Sequence, residues 1–369
     1  MGESSRGLRE SLRRLWGIER SLLEDAGKPR AVFLPREFRV FELKPALLNE
    51  EEGWRLYLVR KEDTPTLAAA SMLKRELRAR RASFAGLKDS WGVSYQYISL
   101  LEPGDERCFV DLGRVKAWLL GEGGALRPGS HSGNIFKIVL ETEEPGRVCG
   151  NLEALAAIPG FYGPQRFGLS RPSTHIYGLR LAGREGGWLL REYSYRYPLE
   201  DLARSLGYES RALREAAEEK SPWVSLKRAP RIAGEALQSY LFNRALSRAL
   251  EERVVEIAET RVSLVACGVE ARVPAARLPS RRLLKSGTRW AEIVRSVIEE
   301  EGVRVEELPP RAPLRPLLFP IAFKTCKAGV SRAEIAFCLP PSAYATIVLM
   351  EVADVELPLG GVEQIDRID

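Results

Sequence analysis

The feature that most limits how this chain can fold is a change of periodicity that occurs twice. Alternating apolar and polar residues fill the first part, in EFRVFEL (37–43), WRLYLVR (54–60) and NIFKIVLE (134–141). From about Glu185 the texture turns helical and charged, in YESRALREAAEEK and then GEALQSYLFNRALSRALEER, where Leu237, Leu241, Ala245 and Ala249 share one stripe. After the proline-rich LPPRAPLRP (308–316), AEIAFCLP (333–340) and YATIVLMEV (344–352) read as strands again. Period-2 segments need sheet partners, and a helical stripe needs a surface to cover. Strands split by a helical block therefore predict a sheet-based unit interrupted by an inserted domain.

Local signals fill in this outline. Residues 8–25 have leucines at helical spacing and predict an amphipathic helix. Thr64-Pro65-Thr66 marks a helix start, with the helix running to about Arg81 and carrying Lys74, Arg75, Arg78, Arg80 and Arg81, a solvated face or a phosphate contact. Gly121, Gly123 and Gly124 lack the strand-glycine-helix context of a phosphate loop and predict a hairpin turn. FYGPQRFG (161–168), dense in glycine, proline and aromatics, predicts a loop.

Composition narrows the function classes. The 369 residues carry a net charge of +6, which permits a polyanionic partner such as nucleic acid. No apolar run reaches the roughly 18 residues that span a bilayer, and the charged N-terminus is no secretory signal, so the expected location is the cytoplasm. Five scattered cysteines without a C-x-x-C, and only His131 and His175, argue against a zinc site or a Cys/His pair, and the cysteines read as reduced core residues. Asparagine and glutamine are scarce among abundant charges, a thermophile pattern. Five of the eight amides, Gln96, Asn134, Gln165, Gln238 and Asn243, fall in four short segments. That clustering favours a polar site built from distant parts of the chain.

The chemistry on offer there is narrow. With no Ser-His-Asp set, nucleotide loop or metal set, the candidate is Asp89 in ASFAGLKDSWGVSYQ (82–96). A lone aspartate acts as nucleophile or general base, and aromatics beside amides hold an extruded base by stacking and edge hydrogen bonds. A structural ion pair of Asp89 with Lys88 or an arginine is the competing explanation.

These residues resemble the TruD-type tRNA pseudouridine synthases. FAGLKDSWGVSYQYIS (84–99) resembles that family's catalytic motif, and FYGPQRFG with RPSTHIYG (171–178) its second motif in the archaeal form. SGNIF, LQSYLFN, LPPSAYATIVL (339–349) and, near the N-terminus, GIERSLLED and EFRVFEL follow in the family's order. The resemblance implies an α+β pseudouridine-synthase fold, a mixed and mainly antiparallel sheet with flanking helices. Residues 1–185 and 312–369 would form the catalytic domain and 186–311 the α/β insertion, with tRNA in the cleft between them.

Asp89 would attack the flipped uridine without metal or small-molecule cofactor. Gly86 would give clearance, and Lys88 would contact phosphate or keep Asp89 ionised. Tyr162 would stack on the target base, while Gln165, Arg166 and Phe167 shape the same wall. Gln96 would bind substrate, and Asn243 would bind substrate or cap a neighbouring loop. Three positions depart from the family pattern. Val32 stands where a lysine is usual, Gly160 where an asparagine is usual, and Met350 where an arginine is usual. The departures leave a second reading open, a tRNA-binding or tRNA-folding protein on a synthase scaffold.

Overall fold

The alternating segments do become neighbours in one sheet. The computed structural model describes residues 13–24, 27–44, 51–88, 92–168, 174–181 and 228–356. Its first strands are β1 (Arg30–Phe33), β2 (Arg39–Glu42), β3 (Trp54–Glu62), β4 (Arg81–Phe84), β5 (Val93–Leu101), β6 (Phe109–Asp111), β7 (Val115–Glu122) and β8 (Asn134–Glu141). A short β9 (Ala157–Pro159) pairs with β13 (Leu318–Pro320). Strands β10 (Thr260–Ala266), β11 (Val269–Arg277) and β12 (Leu314–Pro316) form a separate three-stranded sheet. The chain then returns as β14 (Phe323–Ala328), β15 (Arg332–Leu339) and β16 (Asp354–Glu356) to complete an eleven-stranded sheet. Its main path runs β14-β15-β8-β2-β5-β3-β7-β6, antiparallel except where β2 lies parallel to β5, while β1 and β16, also parallel, and β4 join at the side.

Helix α1 (Thr66–Glu76) covers one part of this sheet, packing Ala69, Ala70, Leu73 and the following Leu77 on Tyr57, Val59, Ile98 and Leu100. A larger core collects α2 (Pro145–Ala154), α3 (Thr174–Leu181) and α4 (Arg228–Glu251) with residues of β8 and β15. Helices α5 (Val254–Ile257), α6 (Arg281–Leu284), α7 (Arg289–Glu300) and α8 (Ala345–Val352) follow. The stripe predicted on α4 is fully buried at Leu237, Leu241, Ala245 and Ala249. A Cβ at Gly178 would lie 2.4 Å from Ala233 O, so this glycine lets α3 and α4 touch backbone to backbone. The same apolar cluster takes in residues from Leu15 to Val355, including residues between Ala233 and Leu308, which belong to the described part of the segment expected as an insertion.

Five expectations fail for physical reasons. YATIVLMEV is helix α8, with every residue of Ala345–Val352 buried. A continuous apolar run has no periodicity to tell a buried helix from a buried strand. The GEGG glycines make no hairpin, because β7 pairs with β3 and β6 whereas β8 pairs with β15, β2 and β1. The connection instead crosses the sheet end, tied by Gly123 N to Trp54 O at 3.1 Å. The helix from Thr66 stops at Glu76 rather than Arg81, since Arg78 is left-handed (φ 51°) and Arg81 starts β4.

Within the described part of 8–25, the helix ends before Gly17, whose φ of 69° and whose bonds from Gly17 N to Arg14 O and Ile18 N to Arg13 O close the turn. Four cysteines are not reduced: Cys149 joins Cys326 and Cys267 joins Cys338, at Cα separations of 5.3 and 6.5 Å, and Cys108 is free and exposed. Sequence spacing could not reveal pairs brought together by the return of β14 and β15. YESRALREAAEEK lies outside the described residues. No helix among the described residues is long and apolar enough to cross a membrane.

Candidate active site

One rung of the sheet organises the site. Glu42, at the end of β2, faces Asn134 of β8, which in turn faces Leu339 of β15. Glu42 has no exposed side-chain surface and forms an ion pair with Lys88, itself 7% exposed. Its second oxygen accepts from Tyr97 N at 3.1 Å. A buried pair of this kind holds only because each charge is matched, and removing one partner strands the other.

The backbone of Lys88 is fixed separately. Lys88 N donates to Thr66 Oγ1 at 2.9 Å, and that hydroxyl donates to Gln96 Oε1 at 2.9 Å. Lys61, buried on β3, donates to Thr64 O at 2.8 Å. On the other flank, Gly92 N donates to Asp63 Oδ1 at 3.1 Å, and a Cβ at Gly92 would lie 2.2 Å from Phe38 O. Asp89, with Ser90 and Trp91, lies outside the described residues between these two anchors.

Gly86 gives clearance to the protein's own side chains. A Cβ there would sit 3.3 Å from His131 Cε1 and 3.4 Å from Lys88 Nζ. His131 Nε2 lies 3.1 Å from Asn134 Nδ2, which donates to it. Burial, with Lys88 adding to it, pushes the imidazole down to about 4, so it is neutral at pH 7. Gln96 Nε2 and Asn134 Oδ1 are buried without a hydrogen-bond partner among the described residues. Each unmade bond costs about 1–3 kcal/mol.

A second cluster surrounds Tyr162. Asn243, fully buried on α4, accepts from Tyr162 N at 2.8 Å and donates to Tyr162 O and Trp16 O, each at 2.9 Å. An amide is the side chain that can both accept and donate in this way. The Arg315 guanidinium lies 3.7 Å from the centroid of the Tyr162 ring, and Phe242 and Tyr344 meet that ring edge-on. Arg166 pairs with Glu235 at 3.2 Å and with Ser239 Oγ at 3.1 Å, its Cζ 5.7 Å from the Tyr162 centroid. Gln165 Oε1 accepts from Thr346 Oγ1 at 3.2 Å. Phe167 is fully buried and meets His175 edge-on, so it supports the wall from within the core.

Both clusters lie at the same sheet end. Leu339 completes the Glu42 and Asn134 rung, and five residues later Tyr344 touches Tyr162, a span of at most about 17 Å of chain. The predicted residues thus gather as Gly86, Lys88 and Gln96 on one side and Tyr162, Gln165, Arg166 and Asn243 on the other. The amide of Gln238 instead caps Pro279 O at 2.7 Å.

Sequence reasoning missed Glu42, Lys61, Thr66, His131 and Arg315. For two of these a signal existed, since Lys61 continues the buried alternation of Tyr57 and Val59, and Glu42 that of Val40. Of the departures, Val32 is 44% exposed on β1. Met350 offers its backbone oxygen to Lys28 Nζ at 2.6 Å, and Lys28 lies 3.8 Å from the buried Glu351.

Known proteins resemble this chain along most of its length. Residues 33–193 match the family described as tRNA pseudouridine synthase D (TruD). A protein of Methanopyrus kandleri named "Probable tRNA pseudouridine synthase D" is 28% identical over 84% of this chain and 89% of its own length. One of the same name from Thermococcus sibiricus is 28% identical over 86% of this chain and 93% of its own. Among solved structures, a Methanosarcina mazei protein assigned as a tRNA pseudouridine synthase D superposes with a TM-score of 0.63 at 21% identity, covering 93% of this chain and 98% of that one.

Proposed function

Because the chain belongs to the TruD family, we propose that it isomerises uridine to pseudouridine in tRNA, with position 13 the first site that analogy suggests and other sites open to mapping, with Asp89 as nucleophile and no cofactor. The observation that carries this reading is the gathering of the motif residues Lys88, Gln96, Tyr162 and Gln165 at one end of the sheet, in a chain similar to TruD proteins over most of its length. The reaction is an isomerisation. The N1–C1′ bond breaks, the uracil turns, C5 bonds to C1′, and the proton leaving C5 is balanced by one gained at N1.

The chain's own groups have separable parts in this scheme. Asp89 lies in the chain between Lys88, held by Thr66, and Gly92, held by Asp63. Tyr162 stacks on the extruded base, and Gln96, buried and without a partner for Nε2 among the described residues, binds substrate. Lys88 acts through Glu42 and the loop rather than as a bare charge. Residues 186–311 serve as the insertion, and tRNA, held through phosphate contacts, binds in the cytoplasm.

The test is pseudouridine mapping on unmodified tRNA. Asp89→Asn is expected to make no product while keeping wild-type melting and tRNA affinity; undiminished product from that variant rejects the assignment. The departures at Val32, Gly160 and Met350 favour the second reading, a tRNA-binding or tRNA-folding protein. Several turnovers per wild-type molecule eliminate it.

A further inference from the structure

Arg315 is a buried cation that the catalytic scheme does not use. It is 5% exposed and has no carboxylate within 4.0 Å among the described residues. Its nitrogens donate instead to Gly160 O at 2.7 Å, Phe161 O at 3.0 Å and Ser342 O at 3.4 Å. Burying a charge without a counter-ion is costly, and an apolar side chain would fill the same space more cheaply. What the arginine gains is contact with one ring. Its Cζ is 3.7 Å from the Tyr162 centroid, against 5.2 Å for Phe319, 5.8 Å for Phe242 and 5.9 Å for Tyr344. Arg315 thus lies over the Tyr162 ring at closer range than Arg166, whose Cζ is 5.7 Å from the same centroid.

Position 160 explains how the arginine arrives there. A Cβ at Gly160 would lie 2.0 Å from Pro316 O, and Gly160 N donates to Leu317 O at 2.8 Å. The backbone that carries Arg315 thus occupies the space of any side chain at 160, where the family pattern has asparagine. The same arginine then grips the carbonyls of Gly160 and Phe161, the two residues before Tyr162.

We infer that Arg315 is the positioning residue for Tyr162, fixing its ring plane in place of a side chain at position 160. This rests on the reading of Tyr162 as the ring that stacks on the target base. A planar fork is required, because lysine cannot both lie flat on the ring and reach two carbonyls.

The test uses the full chain with Arg315→Met, Arg315→Lys, Tyr162→Leu and the double variant Tyr162→Leu/Arg315→Met. Hydrogen exchange is followed in residues 160–167, with kcat and KM on unmodified tRNA. Both Arg315 variants are expected to raise exchange at Phe161–Gly163 at least roughly tenfold, and to lower kcat roughly thirtyfold with KM within about threefold. The double variant is expected to be no slower than Tyr162→Leu alone, because Arg315 acts through the ring. Unchanged exchange, losses that multiply in the double variant, or full rescue by lysine overturns the proposal. Unchanged kcat in Tyr162→Leu overturns it together with the stacking reading. Should wild-type protein make no pseudouridine, the proposed function falls, while exchange still decides the role of Arg315. If Arg315→Met does not fold, Arg315→Lys carries the same comparison.

Discussion

The two halves of the candidate site keep polar groups dry by different means. Around Lys88, charge is matched by charge: Glu42 pairs with the ammonium, and Thr66 links the loop backbone to Gln96. Around Tyr162, a buried guanidinium is matched by carbonyl dipoles and ring faces, and an amide holds the backbone. The first arrangement is stiff and fails as a unit if one charge is lost. The second distributes its cation over several weak partners, so it tolerates loss better but controls orientation. A nucleophile needs a fixed origin, whereas a stacking ring needs a fixed plane and one open face.

The largest expected effect breaks the first half. Glu42→Gln leaves Lys88 buried without its partner and is expected to cost about 3–5 kcal/mol in denaturant unfolding. The double change Glu42→Gln/Lys88→Met should recover part of that loss. Equal losses in the single and double variants would show that the pair is not coupled.

Acid should act on the same half. His131 titrates at its ordinary 6.5 when unfolded and at about 4 when folded. Between those values the unfolded state binds the proton and the folded state does not, so stability falls as the pH drops from 6.5 and levels off below about 4. The full loss from this residue is about 3 kcal/mol. His175, which burial pushes down to about 3, adds a loss that continues to lower pH. Melting temperatures measured from pH 7 to pH 3 check this, and His131→Gln should flatten the upper part of the curve.

The second half should give smaller stability effects and larger catalytic ones. Asn243→Ala removes three hydrogen bonds and is expected to cost about 2 kcal/mol in unfolding, with a fall in kcat that exceeds what the stability loss explains. Smallest of all, Thr66→Val removes the link between Lys88 and Gln96 for about 1 kcal/mol, read in the same denaturant titration. If Thr66→Val proves costlier than Asn243→Ala, the contrast between the two halves is wrong.

Much of this was legible in order along the chain. The period-2 segments at 37–43, 54–60, 134–141 and 333–340 are strands of one sheet, and the stripe from Leu237 to Ala249 is a buried helix. Periodicity is a local property, so it survives without knowledge of partners. Of the scarce amides, Gln96, Asn134, Gln165 and Asn243 lie in the two clusters, whereas Gln238 bonds Pro279 O away from them. Glu42 and Lys61 were also within reach, as charges on the buried phase of an alternating strand.

What the sequence by itself determined is which segments alternate, which carry a helical stripe, and which residues are chemically able to do the work. The tertiary structure alone decided that YATIVLMEV is a helix, that β8 lies between β2 and β15, and that Cys267 meets Cys338. It alone brought Arg315 beneath Tyr162, by running a backbone through the space left at Gly160. Those outcomes depend on contacts between residues far apart in the chain, and a pattern read along one strand or one turn carries no information about what will pack against it.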